Sequence, residues 1–199
     1  MTSTGKSKFL SWLLRHGAGK EKLVMSADGW SKMNDICACT ELSREEIEHV
    51  IQHNNKSRFE RNGEYIRASQ GHSIENMPIT RSALESSWEL YLDIQSVWHG
   101  TNLNALEGIA TSGILSGNRT HVHLSKSTTS ITGKRQHVAV MLEISPKKLH
   151  HHNIQLFITS NEVILARHIP LECIINIKTI TKRAKRQQKY IQSLFPSLF

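Results

Sequence analysis

The chain has 199 residues, enough for one large domain or two small ones, each burying a modest core. Its 25 Lys plus Arg outnumber 17 Asp plus Glu, and the resulting formal charge of +8 favours polyanions such as nucleic acid without specifying any chemistry. Cys37, Cys39 and Cys173 form no Cys-x-x-Cys pair, which argues against a disulfide framework and a structural zinc module and fits a reducing compartment. The start, Met1 to Lys8, is too polar for a signal peptide, and no later run approaches the ~20 apolar residues that span a bilayer. A soluble cytoplasmic protein without membrane contact is expected.

In chain order, Phe9, Leu10, Leu13 and Leu14 recur at helical spacing, with Gly17 placed to stop the helix and Arg15 and His16 in its last turn. Asp28-Gly29-Trp30 reads as a turn, after which Ser31 is placed to cap a short helix carrying Met33 and Ile36. Ser43 and Glu46 make a capping box for a helix through Ile47, Val50 and Ile51. Runs over Phe59–Arg61 and Tyr65–Ala68 flank Asn62-Gly63, a strong hairpin signal. Three helices and then a hairpin is the order of a winged helix. A polar linker without periodicity is expected from about Ser73 to Glu89.

Beyond it come short β-like runs: Ser96–His99, His121–Leu124, Val138–Ile144, Ile154–Thr159, Val163–Ala166 and Cys173–Thr181. A helix over about Asn102–Thr111, closed near Gly113, interrupts them, and a basic helix follows Thr181. The expected class is α+β with a mostly antiparallel sheet in the second half, the two domains spanning residues 1–80 and 81–199. His150-His151-His152 reads as a solvated turn, since adjacent side chains rarely share a metal.

Three arginines stand out because each is tied to a stretch of His, Gly or small polar residues: Arg15-His16-Gly17-Ala18-Gly19, Arg67-Ala68-Ser69-Gln70-Gly71-His72-Ser73 and Arg119-Thr120-His121-Val122-His123. A guanidinium keeps its charge and offers a planar fork of donors, so several converging on one cleft imply a phosphoester. Taken singly, each stretch also has an ordinary reading. Arg15 and His16 suit a helix C-terminus, the segment after Arg67 suits a polar loop, and a row of basic groups suits a solvated edge. The glycines after His16 remove bulk and open the backbone to a ligand. The residues after Arg67 suit phosphate or ribose contact better than packing. As a strand, Arg119, His121 and His123 share one face with Ser125. Trp98-His99-Gly100-Thr101-Asn102 puts a histidine and small residues between a strand end and a helix start, where exposed N–H groups accept a polar ligand. No Gly-x-Gly-x-x-Gly turn, Walker loop or Gly-x-Ser-x-Gly elbow occurs, which disfavours dinucleotide dehydrogenases, P-loop enzymes and α/β-hydrolases.

These blocks, together with Asp28-Gly29-Trp30 and Lys56 with Arg58-Phe59, agree in order and spacing and closely resemble the NAD-dependent RNA 2′-phosphotransferase family over about Phe9 to Thr181. The resemblance implies a winged-helix lobe joined to an ADP-ribosyltransferase-like lobe, with NAD consumed as co-substrate, no metal, and a monomer acting on RNA that carries an internal 2′-phosphate, such as a tRNA splicing junction. It places the phosphate tetrad on Arg15, His16, Arg67 and Arg119, further RNA contacts on Lys56, Arg58, Gln70 and His72, and the NAD side on His99, Gly100, Thr101, His123 and Ser125. The implied chemistry has two steps. The RNA 2′-phosphate displaces nicotinamide to give an RNA-2′-phospho-ADP-ribose intermediate. The ribose 2″-hydroxyl then takes the phosphorus, leaving RNA 2′-OH and ADP-ribose 1″,2″-cyclic phosphate. One departure is Glu162, which follows Ser160-Asn161 where the family carries glycine. Two alternatives remain: an ADP-ribosyltransferase that stops after the first step, on nucleic-acid terminal phosphates or a protein, and a winged-helix binder without activity.

Overall fold

The computed structural model describes residues 2–54, 57–130 and 138–198. Its internal contacts divide the chain into two units. The first runs through Glu89 and takes in Asn118–Thr120 and Thr159–Asn161; the second comprises Leu90–Gly117, His121–Ile158 and the chain from Glu162 onward.

The first unit opens with helix α1 (Ser3–Trp12), which widens into a π turn over Leu13–Gly17. Leu10, Leu13 and Leu14 are fully buried against Met33, Ile36, Ile47 and Ile66. Strand β1 (Ser31–Lys32), helix α2 (Met33–Cys39), helix α3 (Arg44–Gln52) and the hairpin β2 (Phe59–Asn62) and β3 (Tyr65–Ala68) follow, giving an antiparallel sheet in the order β1-β3-β2. The helix–helix–helix–hairpin order matches the expectation. So does the capping box, in which Ser43 accepts from Glu46 N while the Glu46 carboxylate accepts from Ser43 N. The hairpin loop sits one residue later than the Asn-Gly signal implies. Asn62 pairs with Tyr65, leaving Gly63 and Glu64 as the loop, and Gly63 takes the positive φ of +57° that the reversal requires.

Several local expectations are corrected. Gly17 does not end the helix through a left-handed conformation. It lies inside the π turn, where a Cβ would stand 2.7 Å from the Trp12 ring, so its small size serves packing. Gly19 is likewise filled, its N–H donating to Asn76 O at 2.9 Å. Ser31 is not a cap; it is buried in β1 opposite Ile66, and α2 starts after Lys32 without a side-chain cap. The polar stretch read as a linker contains helix α4 (Arg81–Ser86), started by Thr80 accepting from Ala83 N. One apolar residue, Leu84, anchors it, too few for a periodic signal.

The chain crosses from the first unit to the second within β4 (Glu89–Leu90). Strand β5 (Val97–Thr101) leads into a 3₁₀ turn and helix α5 (Leu106–Ser112), closed by Gly113 at φ +71°. Then come β6 (Ile114–Leu115), β7 (Val122–Leu124), β8 (Val140–Ile144), α6 (Pro146–His151), β9 (Phe157–Ile158), β10 (Ile164–Ala166), β11 (His168–Ile169), β12 (Ile174–Thr179), α7 (Lys182–Arg186) and α8 (Gln188–Leu194). The sheets run β12-β8-β5 and β4-β9-β10-β7, with β11 paired to β6. Their shared core is built on Val97, Leu124, Val140, Leu142, Ile144 and Ile164. The class is therefore α+β with antiparallel pairing.

Helix α6 was not anticipated, although Ser145 followed by Pro146 is a good start signal. It takes in His150 and His151, and His152 stands 3.5 Å from Glu172. No helix among the described residues is long and apolar enough to cross a membrane.

Candidate active site

Arg15 and His16 leave the π turn side by side. The segment after β3 returns to them: Ser73 N donates to Arg15 O at 2.9 Å, and Ser73 bridges to Arg119 in antiparallel fashion. Thr120 N adds a bond to His72 O at 3.0 Å. Three stretches far apart in sequence thus converge within one unit, and their cations feel one another. Arg15 is pulled down to about 10 by burial, then by the charges of Arg119 and Arg58. Burial, Arg119 and Arg15, in that order, hold His16 below its ordinary value. Gln70, itself buried, orients Arg15 by accepting from Nη2 at 3.3 Å, while Arg15 Nε is buried and finds no partner among the described residues. Clustered cations with an unmatched donor are costly to hold without an anion, which is how sites for anions are built.

The electrostatics carry a direct test. At pH 7 the His16 ring is mostly neutral, and its NMR titration midpoint is expected below the usual 6.5. Arg119→Ala removes a nearby positive charge, which favours the imidazolium, so the midpoint should climb back toward that value. An unchanged midpoint would separate the two residues.

Arg67 has different neighbours. Its guanidinium is almost fully buried, with Nε and Nη2 on Glu60 Oε2 at 2.8 and 2.7 Å and Nη1 on Ser87 Oγ at 2.7 Å and Asp28 O at 3.3 Å. Its plane lies 4.7 Å from the Trp30 ring centre. Those contacts occupy four of the five N–H groups a guanidinium carries. Glu60 in turn accepts from Ser160 Oγ at 2.8 Å. Arg67 is thus neutralised by its own neighbours.

The residues after Arg67 do not form an exposed polar loop, since Ser69, Gln70 and His72 are all buried. Nor do Arg119, His121 and His123 line one strand face. The strand covers only Val122–Leu124; Arg119 is exposed in the first unit, and His121 is buried in the second with its ring edge-on to Phe157 at 6.3 Å. The alternation lies across a break, so no common face exists.

A cavity of about 580 Å³ opens beside Arg15 and His16. Arg58, steered by its bond to Asn54 Oδ1 at 3.3 Å, lines it together with Lys8, Ser11 and other polar residues of α1. Lys56 lies outside the described residues. The sequence reading passed over Lys8, Ser11 and Glu60. A polar stripe at Thr4, Ser7, Lys8, Ser11 and Arg15, spaced to share one helical face, was the available signal for the first two.

In the second unit, His99, His123 and Ser125 come together. His99 Nδ1 lies 3.1 Å from His123 O; a carbonyl only accepts, so Nδ1 carries the proton and, in the neutral ring, Nε2 is the acceptor. Trp98 and Ser125 exchange backbone bonds of 2.8 and 2.9 Å, which seat Ser125 against β5. The Ser125 hydroxyl donates to Ser127 O at 2.9 Å. Gly100 pairs with Met141, and a Cβ there would stand 2.8 Å from Val138; Thr101 is buried opposite Val140.

Glu162, the departure from glycine, sits at φ +62°, a conformation that glycine adopts freely, and pairs with Lys126 at 2.9 Å. Left-handed backbone costs a side-chain-bearing residue roughly 1–2 kcal/mol. Glycine relieves that strain but loses an exposed ion pair, about 0–1 kcal/mol, and adds chain entropy, about 0.5–1 kcal/mol. The terms nearly cancel. Glu162→Gly is therefore expected to shift unfolding stability by less than about 1 kcal/mol in urea titrations, whereas the β-branched Glu162→Val lowers it clearly.

A basic α+β protein whose cations crowd a cavity is built for a phosphate-bearing ligand. The chain belongs to the RNA 2′-phosphotransferase, Tpt1 / KptA family, whose model matches residues 2–168. It is 32% identical over 185 residues to a probable RNA 2′-phosphotransferase of Acaryochloris marina, covering 86% of this chain and 96% of that one. It is 31% identical over 204 residues to the tRNA 2′-phosphotransferase of Saccharomyces cerevisiae, covering 94% and 88%. A probable RNA 2′-phosphotransferase of Pseudomonas syringae is 31% identical over 180 residues, covering 86% and 92%.

Proposed function

We propose that this protein transfers an internal RNA 2′-phosphate to NAD through an RNA-2′-phospho-ADP-ribose intermediate, giving RNA with a free 2′-hydroxyl, ADP-ribose 1″,2″-cyclic phosphate and nicotinamide. In this reading the first unit is a winged-helix RNA lobe and the second an ADP-ribosyltransferase-like lobe, in a monomeric cytoplasmic enzyme that needs no metal. The observation that carries it is the convergence of Arg15, His16 and Arg119 through the backbone bonds of Ser73 and Thr120, in a chain of the RNA 2′-phosphotransferase family.

The 2′-phosphate is held by Arg15, His16 and Arg119. The dianion relieves their repulsion and raises the proton affinity of His16, which then donates as an imidazolium. Gln70 and the His72 backbone keep Arg15 and Arg119 aimed at it. Arg67 adds its remaining N–H, fixed in direction by Glu60 and Ser87. Preset donors offset charge as it builds on the phosphate oxygens without reorganising during the reaction.

The second unit's donors fit the nicotinamide riboside end of NAD. His99, with Nδ1 directed at the His123 carbonyl, suits a ribose hydroxyl, and Thr101, His123 and Ser125 add hydrogen-bonding groups. NAD supplies the leaving group and the accepting hydroxyl when bound. Incubation with 2′-phosphorylated RNA and NAD should release nicotinamide and the cyclic phosphate and leave unmodified RNA. RNA that stays ADP-ribosylated, or NAD that is not consumed, overturns the reading.

A further inference from the structure

The cavity beside Arg15 is larger than one phosphate group requires. Its volume of about 580 Å³ lies in the range of pockets that enclose whole small-molecule ligands, roughly 300–1,000 Å³. Its lining holds Lys8, Arg15, His16 and Arg58 and, among the described residues, no carboxylate. Thr4, Ser7, Lys8 and Ser11 reach it from one face of α1. Ser11 Oγ is buried and has no hydrogen-bond partner among the described residues, as with Arg15 Nε. Two unmatched polar atoms along a cationic cavity call for a ligand with both charge and hydroxyls.

We infer that this cavity is a second RNA subsite, which holds the nucleotide flanking the 2′-phosphorylated one. Lys8 and Arg58 take its phosphodiester, and the hydroxyls of Thr4, Ser7 and Ser11 take its sugar. The inference rests on the phosphotransferase reading for which phosphate lies at Arg15, and extends the ligand along α1. The shared chemistry of a nucleotide phosphate has two sources, the RNA chain itself or a free nucleotide, and the test separates them.

Binding is measured without NAD, so that no turnover intervenes, for a 2′-phosphorylated trinucleotide and for adenosine 2′-phosphate. Lys8 is exposed, so Lys8→Gln should fold normally. It is expected to weaken the trinucleotide roughly threefold to tenfold and to reduce its salt slope by about 0.7, while adenosine 2′-phosphate changes less than about twofold. Ser11→Ala should weaken the trinucleotide while leaving the melting temperature equal or higher, because it removes a buried hydroxyl that has no partner in the free protein. A purely structural serine would lose stability instead. Equal losses on both ligands, or an unchanged trinucleotide affinity and salt slope, overturn the subsite. Free adenosine 5′-phosphate competing as well as the trinucleotide would assign the cavity to a free nucleotide and also overturn it. A wild-type protein that binds the trinucleotide with this pattern but yields no cyclic phosphate with NAD would leave the subsite standing and remove the reaction.

Discussion

Arg119→Ala is expected to lower turnover of a 2′-phosphorylated RNA by roughly 10²–10³-fold, the cost seen when one preorganised donor to a developing anion is removed. Bulk RNA affinity should hardly fall, since one phosphate contact is a small part of total binding to a polyanion. The side chain is exposed, so its loss leaves the core untouched. Its charge acts on both Arg15 and His16, so the variant also relaxes their repulsion in the free protein. Single-turnover rates with saturating RNA, alongside filter binding, separate the effects. A parallel loss of binding and rate would make Arg119 an ordinary RNA contact.

The largest stability effect is expected at Glu60. The carboxylate faces Arg67 directly across the hairpin, and the two side chains are 17% and 6% exposed. Removing one partner of a buried pair costs about 3–5 kcal/mol, and here the Asp28 carboxylate, 3.9 Å from Arg67, is left as a more distant counter-ion. Ser87, the Asp28 carbonyl and the Trp30 ring remain to hold Arg67, so Glu60→Ala should fall near the lower end, about 3 kcal/mol, read from the urea midpoint at unchanged slope. Glu60→Met combined with Arg67→Met should recover most of the loss, because both charges then leave the interior together. A loss below about 1 kcal/mol for Glu60→Ala would mean that the pair does not anchor the hairpin.

What the sequence made legible was local. Ser43 and Glu46 announced α3, and Asn62-Gly63 announced the hairpin to within one residue, because capping and turn chemistry are settled within four residues. Leu10, Leu13 and Leu14 announced α1 but concealed the π turn, since apolar spacing does not register one residue added to a single turn. Arg15, His16, Arg67 and Arg119 were marked as one set; Arg15, His16 and Arg119 come together through backbone bonds that no pattern encodes, while Arg67 is held by Glu60. The alternation of Arg119, His121 and His123 misled because a period of two carries meaning only inside an unbroken strand. Glu60 was readable in principle: given the hairpin register, it must face Arg67. The contribution of Ser160 to the same cluster was not, for it arrives from a hundred positions away.

The widened turn at Leu13–Gly17 has an implication for how this protein can vary. Each helical residue turns the chain by about 100°, and a π turn spends one residue more per loop than an α turn. Deleting Leu13 or Leu14 there would restore regular winding and change the angle at which Arg15 and His16 leave the helix. Arg15 and His16 would then point elsewhere although both were still encoded. Substitution in this stretch is negotiable; its length is not.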